Sequence, residues 1–391
     1  MDTTTKLPLI SVLILDGGNY DVLKVLHCLG HVPGVKPHIL SRTKWPMSRF
    51  SRYCTKCHYH TSQNDDDWID AIKGVVRKWD IDVVLPVTMR CVEFVARNRT
   101  AISGFAAIPS IADVELLKMV LDKWSFHVFA VQHGFPVPAA VLVGVPGETS
   151  IASKHLDSIE YPALLKPTML GGGFGIVKVE KRSDLERAWN DERLIKGCRY
   201  ILQSYVSGID LCLQVFCKGG EILRYTVQKS LLLSENHFGP QRIMEFAEDN
   251  GTLELGRRLV STMGFEGIGC IDFRIDVLGQ TQKILEINPR TGQAILGSLV
   301  AGVNFPLLAC FDALGLEYPP MQYRTVKYAH PMPSLKIILS RIIGRSTVTN
   351  ILWRESGLQF TCKDPIPVLV DVVRRTARRL KRRIGGICLP S

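Results

Sequence analysis

Several familiar signatures are missing from this chain, and each absence removes a class of function. No GxGxxG follows the first strand-like segment, so a dinucleotide site of that type has no support. The one glycine cluster, Gly171 to Gly175, has its lysine before it and a strand-like segment after it. A Walker A loop needs a lysine behind the glycines and a helix next, so that fold is excluded. Cys54-Thr55-Lys56-Cys57-His58-Tyr59-His60 has zinc-like residue types, but no second CxxC or HxxxH pair completes four ligands, and an ordinary loop-and-strand segment is the better reading. The longest apolar stretch, Ala294 to Leu316, is cut by Asn304-Phe305-Pro306 and Asp312 into halves too short to span a bilayer, and reads as two buried helices. Met1 to Lys6 is polar and runs straight into a strand, which is not the pattern of a signal peptide. Eleven cysteines, an odd number at irregular spacing, fit a reducing cytoplasm better than a disulfide framework.

What is present is an ordinary globular composition, 46% hydrophobic and 22% charged, over 391 residues, enough for two or three domains. The net charge of +11 is unevenly placed: seven positive charges fall within residues 374 to 383, leaving +4 for the rest. Any case for membrane or nucleic-acid binding therefore rests on that tail.

Along the chain, residues 8 to 15 form a continuous apolar run, then Asp16-Gly17-Gly18-Asn19, then a helical pattern from Tyr20 to Leu29. Strand, glycine turn and helix open a doubly wound α/β domain with a parallel sheet. Further strands fit Lys36 to Leu40, Asp82 to Pro86 and residues 106 to 109, with a helix from Trp68 to Trp79. Residues 113 to 133 read as one helix capped by Asp113, and Lys123 taken alone is a solvated helix lysine.

Tyr161 to Pro167, the glycines, and Ile176 to Val179 read as strand, glycine loop, strand. The loop is either a hairpin tip whose N–H groups close over phosphates, with Lys166 at its base, or a flexible hairpin that binds nothing. Tyr200 to Asp210 is a strand broken at Gly208, continuing as Leu211 to Phe216. Residues 234 to 242 are polar and glycine-broken, a candidate active-site loop. Cys270 to Asp276 and Lys283 to Asn288 read as a hairpin around Leu278-Gly279-Gln280. It would set Asp272 beside Glu286 and Asn288, which share a face. Three hard oxygen donors suit Mg²⁺, and Arg290 just beyond could grip a phosphate or oxyanion. A solvated sheet edge explains the same pattern equally well.

In order, these motifs resemble the ATP-grasp superfamily: Asp122-Lys123, the Lys-Pro strand before a glycine hairpin, Gln-Ser-Tyr-Val-Ser-Gly, Ile-Asp-Phe, and Leu-Glu-Ile-Asn-Pro-Arg. The branches it is most similar to are the carboxylate–amine ligases and the carbamoyl-phosphate-synthase-like enzymes. The resemblance implies a pre-ATP-grasp α/β domain over 1–112, a two-lobed ATP-grasp domain over 113–325 with its phosphate lid at about 161–180, and a C-terminal extension over 326–391. It implies that Lys123 and Lys166 hold ATP phosphates and that Gly171, Gly172, Gly173 and Gly175 form the lid. Gln203, Tyr205 and Val206 would lie along the adenine. Asp210, where the family usually has Glu, would take the ribose. Asp272, Glu286 and Asn288 would bind Mg²⁺, or Mn²⁺ in its place. Arg290 would join Lys166 as a catalytic group, stabilising the transferring phosphoryl group or the tetrahedral intermediate.

The implied activity is an ATP-dependent ligase that activates a small carboxylate as an acylphosphate for attack by an amine. Carboxyphosphate chemistry on bicarbonate ranks lower, since neither a biotin-carrier Met-Lys-Met nor a glutaminase Cys/His domain is evident; a non-catalytic nucleotide-binding regulator is the third reading. Beyond residue 320 the pattern fades. Asp364-Pro365 starts a helix through Arg383, apolar first and basic second. It reads either as a solvated basic tail or as an anchor for an anionic membrane surface. Nucleic acid is disfavoured, because no aromatics are interleaved with the arginines.

Overall fold

In the computed structural model, residues 8–62, 64–147, 156–232, 241–276, 281–342 and 350–384 are described, and they divide into two compact units. The first comprises residues 1–109, 304–320 and 334–391; the second comprises 110–303 and 321–333.

In the first unit, the apolar run after Pro8 forms β1 (Ile10–Leu15), followed by β2 (Val35–Ser41), β3 (Lys56–Tyr59) and β4 (Val83–Leu85). They lie in the order β3-β2-β1-β4, all parallel. The sheet is the doubly wound type that the strand–turn–helix opening predicts, and the Cys54–His60 segment supplies its edge strand. Residues 106 to 109 contribute only a single parallel bridge, Val83 to Ala107. The helix Asp65–Trp79 shows why its sequence folds as it does. Asn64 caps it, accepting from the Asp67 N–H at 2.9 Å; three aspartates occupy its first turn, and Arg77 and Lys78 its last. Trp68, Ile72, Val75 and Val76 form its buried stripe, and the Arg42 guanidinium lies 3.9 Å over the Trp68 ring.

Residues far along the chain return to this unit. The buried helix Phe305–Ala313 packs on Tyr20–Gly30, and Asn304 donates to the Cys28 carbonyl at 2.8 Å. Buried Asp364 accepts from Ser51 Oγ at 2.5 Å and from the Arg52 N–H at 3.0 Å, and it pairs with His27 at 3.1 Å. Burial opposes its charge, yet His27, Ser51 and Arg52 together hold its carboxyl below the usual range.

The second unit holds two antiparallel sheets. The smaller contains β5 (Ala140–Gly144), β6 (Ala163–Pro167), β7 (Val177–Val179) and β8 (Tyr200–Ser204), in the order β5-β8-β6-β7. Its core gathers Leu165, Val177, Trp189 and Tyr200. The larger contains β9 (Gly208–Lys218), β10 (Glu221–Leu232), β11 (Ile243–Phe246), β12 (Gly267–Asp276), β13 (Gln282–Asn288) and β14 (Val326–Ala329). Their order is β13-β12-β9-β10-β11-β14.

Gly208 begins β9 where it meets the end of β12. A Cβ there would sit 1.7 Å from the Ile275 carbonyl oxygen, a backbone atom with little room to yield. Gly208→Ala is therefore expected to cost about 2–4 kcal/mol of stability. A thermal melt superimposable on the parent's would refute this.

Candidate active site

The larger sheet brings the candidate residues together because its side chains alternate. Asp210, Cys212 and Gln214 share one face of β9; Cys270, Asp272 and Arg274 share the matching face of β12. The register pairs Asp272 with Cys212 on one side and with Glu286 on the other, and Arg274 with Asp210. Cys270 stands opposite Asn288. Between Asp272 and Phe273 the pairing with β13 slips by one residue, leaving Leu285 as an extra residue beside the site. All of these except Gln214 line a cavity of about 250 Å³, which Lys123, Lys166, Gly171 to Gly173 and Arg290 also border.

Lys123 reaches the cavity through a break that the sequence reading misses. Residues 113 to 133 are two helices, Val114–Leu121 and Lys123–Gln132. Asp122 stands between them in an extended conformation and accepts from the Ser125 N–H at 2.8 Å, so its side chain starts a second helix where periodicity alone continues the first. Lys123 thereby falls in a helical first turn. Its backbone N–H donates to the Thr168 carbonyl at 2.9 Å, its Nζ donates to the Leu170 carbonyl, and Nζ lies 3.3 Å from Glu286 Oε2. One lysine thus ties the glycine loop to the carboxylate face. Lys166, on β6, donates to Gln203 Oε1 at 2.8 Å.

The charges are unbalanced in an informative way. Burial first, then the neighbouring Glu286 and Asp210 carboxylates, push the Asp272 carboxyl well above its usual range. Burial works against Glu286 as well, but Lys123, the Asn288 amide and Lys166 lie close enough to hold it below its usual range. The Asn288 Nδ2 donates to both carboxylates, at 3.2 Å to Asp272 and 3.1 Å to Glu286. Two carboxylates facing each other, one of them resisting ionisation, make a donor set that a hard divalent cation fits. Asn288 can add a third oxygen by turning its amide over. Lys166 is pushed down to about 8, chiefly by burial and then by the adjacent Lys123 and Arg274, against the pull of Glu286.

Not every residue singled out in the sequence borders the cavity. Gly175, Gln203, Tyr205 and Val206 are absent from its lining. Gln203 is buried and orients Lys166; the Val206 carbonyl accepts from Arg274 at 3.1 Å; the Tyr205 ring lies 5.2 Å from the Arg274 guanidinium. Asp210 does line the cavity, but its carboxylate is held by Arg274 Nε at 2.6 Å. Arg274 was not anticipated, although it sits two residues after Asp272 and so shares its face. Of the candidate loop 234–242, residues 234 to 240 lie outside the described residues, as does the predicted turn at 278–280.

The sequence reading also misses residues at and behind this cavity. Cys212 and Cys270 are joined as a disulfide on the cavity floor, where a reducing cytoplasm predicts free thiols; the eight other described cysteines are free. Buried Gln214 accepts from the Gly292 N–H at 2.8 Å and donates to the Gly269 carbonyl at 3.0 Å, fixing the segment that carries Arg290. Gln228 Nε2 and Gln241 Oε1 are buried against the cavity without a partner among the described residues.

Residues 120–293 match the family model for the ATP-grasp domain. The arginine-specific carbamoyl phosphate synthase large chain of Bacillus subtilis (strain 168) is 26% identical over 165 residues, covering 40% of this chain and 16% of that protein. The D-alanine–D-alanine ligase of Anaplasma marginale (strain Florida) is 27% identical over 181 residues, covering 41% of this chain and 53% of that protein. This chain thus spans about half or less of the length of these relatives. Among solved structures, the fold resembles the biotin carboxylase domain of Hydrogenobacter thermophilus 2-oxoglutarate carboxylase, solved with MgADP, ADP and bicarbonate. The TM-score is 0.63 at 15% identity, over 82% of this chain and 74% of that one. Residues 120–293 are thus an ATP-grasp domain.

Proposed function

We propose that this protein is an ATP- and Mg²⁺-dependent ligase that joins a small carboxylate to an amine, releasing ADP and phosphate. The observation that carries the reading is Asp272 paired with Glu286 across β12 and β13, with Lys123 bridging from Glu286 to the glycine loop. In this arrangement Asp272, Glu286 and Asn288 would hold Mg²⁺, which when bound neutralises charge on the phosphate oxygens. Lys123 and Lys166 would bind the phosphates from two sides, and Gly171 to Gly173 would cover them with backbone N–H groups.

A carboxylate resists attack because amide formation would have to expel an oxide. When one of its oxygens takes the γ-phosphoryl group of ATP, ADP leaves and an acylphosphate forms. The amine nitrogen then adds to the carbonyl carbon, phosphate departs, and the nitrogen gives up a proton. Catalysis on this path is mostly positioning and charge stabilisation, which Lys166 and Arg290 would supply. Gln228 and Gln241 offer an amide donor and an amide acceptor to a polar acceptor substrate in the same cavity.

A panel of amino acids and short peptides, assayed for ADP and phosphate release with hydroxylamine present to trap acylphosphate, tests this reading. Turnover that needs a carboxylate and an amine, with a hydroxamate recovered, supports it. A second reading, carboxyphosphate formation, draws on the carbamoyl phosphate synthase relative and the bicarbonate-bound structural neighbour. Phosphate release driven by bicarbonate alone would replace the first reading with that one.

The lowered Lys166 gives a pH signature. Its charge is present below about pH 8 and is lost as pH rises through that value. ADP affinity should therefore be flat on the acid side and then weaken, by at most about tenfold per pH unit for one proton. Lys166→Met should bind weakly at every pH and lack the step. Titration calorimetry from pH 6.5 to 9.5 reads both; a step that persists in Lys166→Met assigns it to another group.

A further inference from the structure

We infer that the helix Ile366–Ile384 is a docking surface for anionic phospholipid, lying on a membrane rather than crossing it. Among the described residues no helix is long and apolar enough to span a bilayer, which leaves the surface-lying arrangement.

The orientation of the helix carries the argument. Its inner side, Pro367, Val370, Asp371 and Arg374, is buried or half-buried, and the helix packs along the short turn Met47–Phe50. An amphipathic helix of a globular protein normally turns its apolar stripe inward. Here Pro367, Val368 and Val370 meet that need, yet a second apolar group, Ile366, Leu369, Val372 and Val373, faces outward, with Leu369 61% and Val373 67% exposed. Ile366, Leu369 and Val373 follow helical spacing, and Ala377, Leu380 and Ile384 continue the same phase in the sequence. The basic residues from Arg374 to Arg383 take the remaining positions. An outward apolar stripe flanked by cations is the pattern of a helix seated between headgroups and acyl chains. Another protein surface would satisfy the apolar stripe, and RNA would satisfy the cations. Anionic lipid satisfies both at once, and the absence of interleaved aromatics removes the stacking that single-stranded RNA favours.

The start of the helix is fixed independently of any lipid. Asp364, two residues before it, is held by His27, Ser51 and Arg52, so the outward face is a property of the fold.

The test uses the full chain and sucrose-loaded vesicles of phosphatidylglycerol mixed with phosphatidylcholine. The parent should pellet with these vesicles, stay in solution with phosphatidylcholine alone, and lose binding as salt rises. The double variant Leu369→Asp, Val373→Asp should bind about tenfold more weakly or worse. Because both residues are exposed and neither lines the cavity, its melting temperature and ATP-dependent phosphate release should match the parent's. Equal pelleting of variant and parent would overturn the inference. So would pelleting on neutral vesicles as strong as on anionic ones. Conversion of a dimer to a monomer by the double variant in gel filtration would assign the stripe to a second copy instead, and RNA that displaces the parent and binds the variant equally well would assign the cations to nucleic acid.

Discussion

Glu286→Gln should leave the protein folded while ATP-dependent phosphate release drops by on the order of 10³-fold. The glutamine is isosteric, and its Oε1 can still accept from Asn288, so the hydrogen bond recorded at 3.1 Å need not break. What disappears is the negative charge. Lys123 then loses its anionic partner at 3.3 Å while keeping the Leu170 carbonyl, and the proposed cation keeps one carboxylate where it had two. Asp272 should respond in the opposite sense: the Glu286 charge is among the causes that hold its carboxyl high, so removing it makes Asp272 easier to ionise. Affinity for Mg²⁺ should fall along with turnover. Phosphate-release kinetics, a melting curve and a Mg²⁺ titration read the three effects separately. A rate near the parent's would take Glu286 out of the metal site and the ligase reading with it.

Arg290→Ala should cut kcat by on the order of 10³-fold, with ATP affinity changed far less, because in the proposed reaction its guanidinium would meet the transferring group mainly in the transition state. The segment that carries the arginine is held firmly. Its backbone N–H donates to the Asn288 carbonyl at 2.8 Å, its Nη1 donates to the Thr291 carbonyl at 3.0 Å, and Gln214 fixes Gly292 two residues on. Added guanidinium should restore part of the rate in Arg290→Ala, and Arg290→Lys should recover little, since a point charge cannot reproduce a planar fork. A loss confined to the ATP KM would reassign Arg290 to nucleotide binding.

How far the sequence reaches depends on whether a signal is local. β1, the turn at Asp16 to Asn19 and the helix Asp65–Trp79 are written in contiguous residues, and all were legible except that helix's first turn, where Asn64 and three aspartates start it before its apolar stripe begins. The carboxylate face was legible because Glu286 and Asn288 alternate on one strand and Asp272 lies on the strand before it. Arg274 obeys the same alternation and could have been found from it; its ion pair with Asp210 could not, since that depends on how β9 registers against β12. The same limit hides the Cys212–Cys270 pairing, which joins residues 58 apart in sequence. β11 and β14 are four residues each, too short for a periodic signal, and they exist because their neighbours complete the hydrogen-bond ladder. The break at Asp122 marks a third limit. A good capping residue inside a long helical pattern is visible, but whether it ends one helix depends on the Thr168 carbonyl that meets the next N–H.

Asp364 decides where this protein tolerates being shortened. Trimming the basic helix to study catalysis in its absence looks harmless in the sequence, yet a stop codon placed a few residues upstream would excise the shared acceptor of His27, Ser51 and the Arg52 amide. His27 and Ser51 are buried in the first unit, where a group left unpaired costs about 1–3 kcal/mol. Ending the chain just beyond Pro365 keeps that acceptor, so the proposed lipid binding can be removed while His27, Ser51 and the Arg52 amide stay paired.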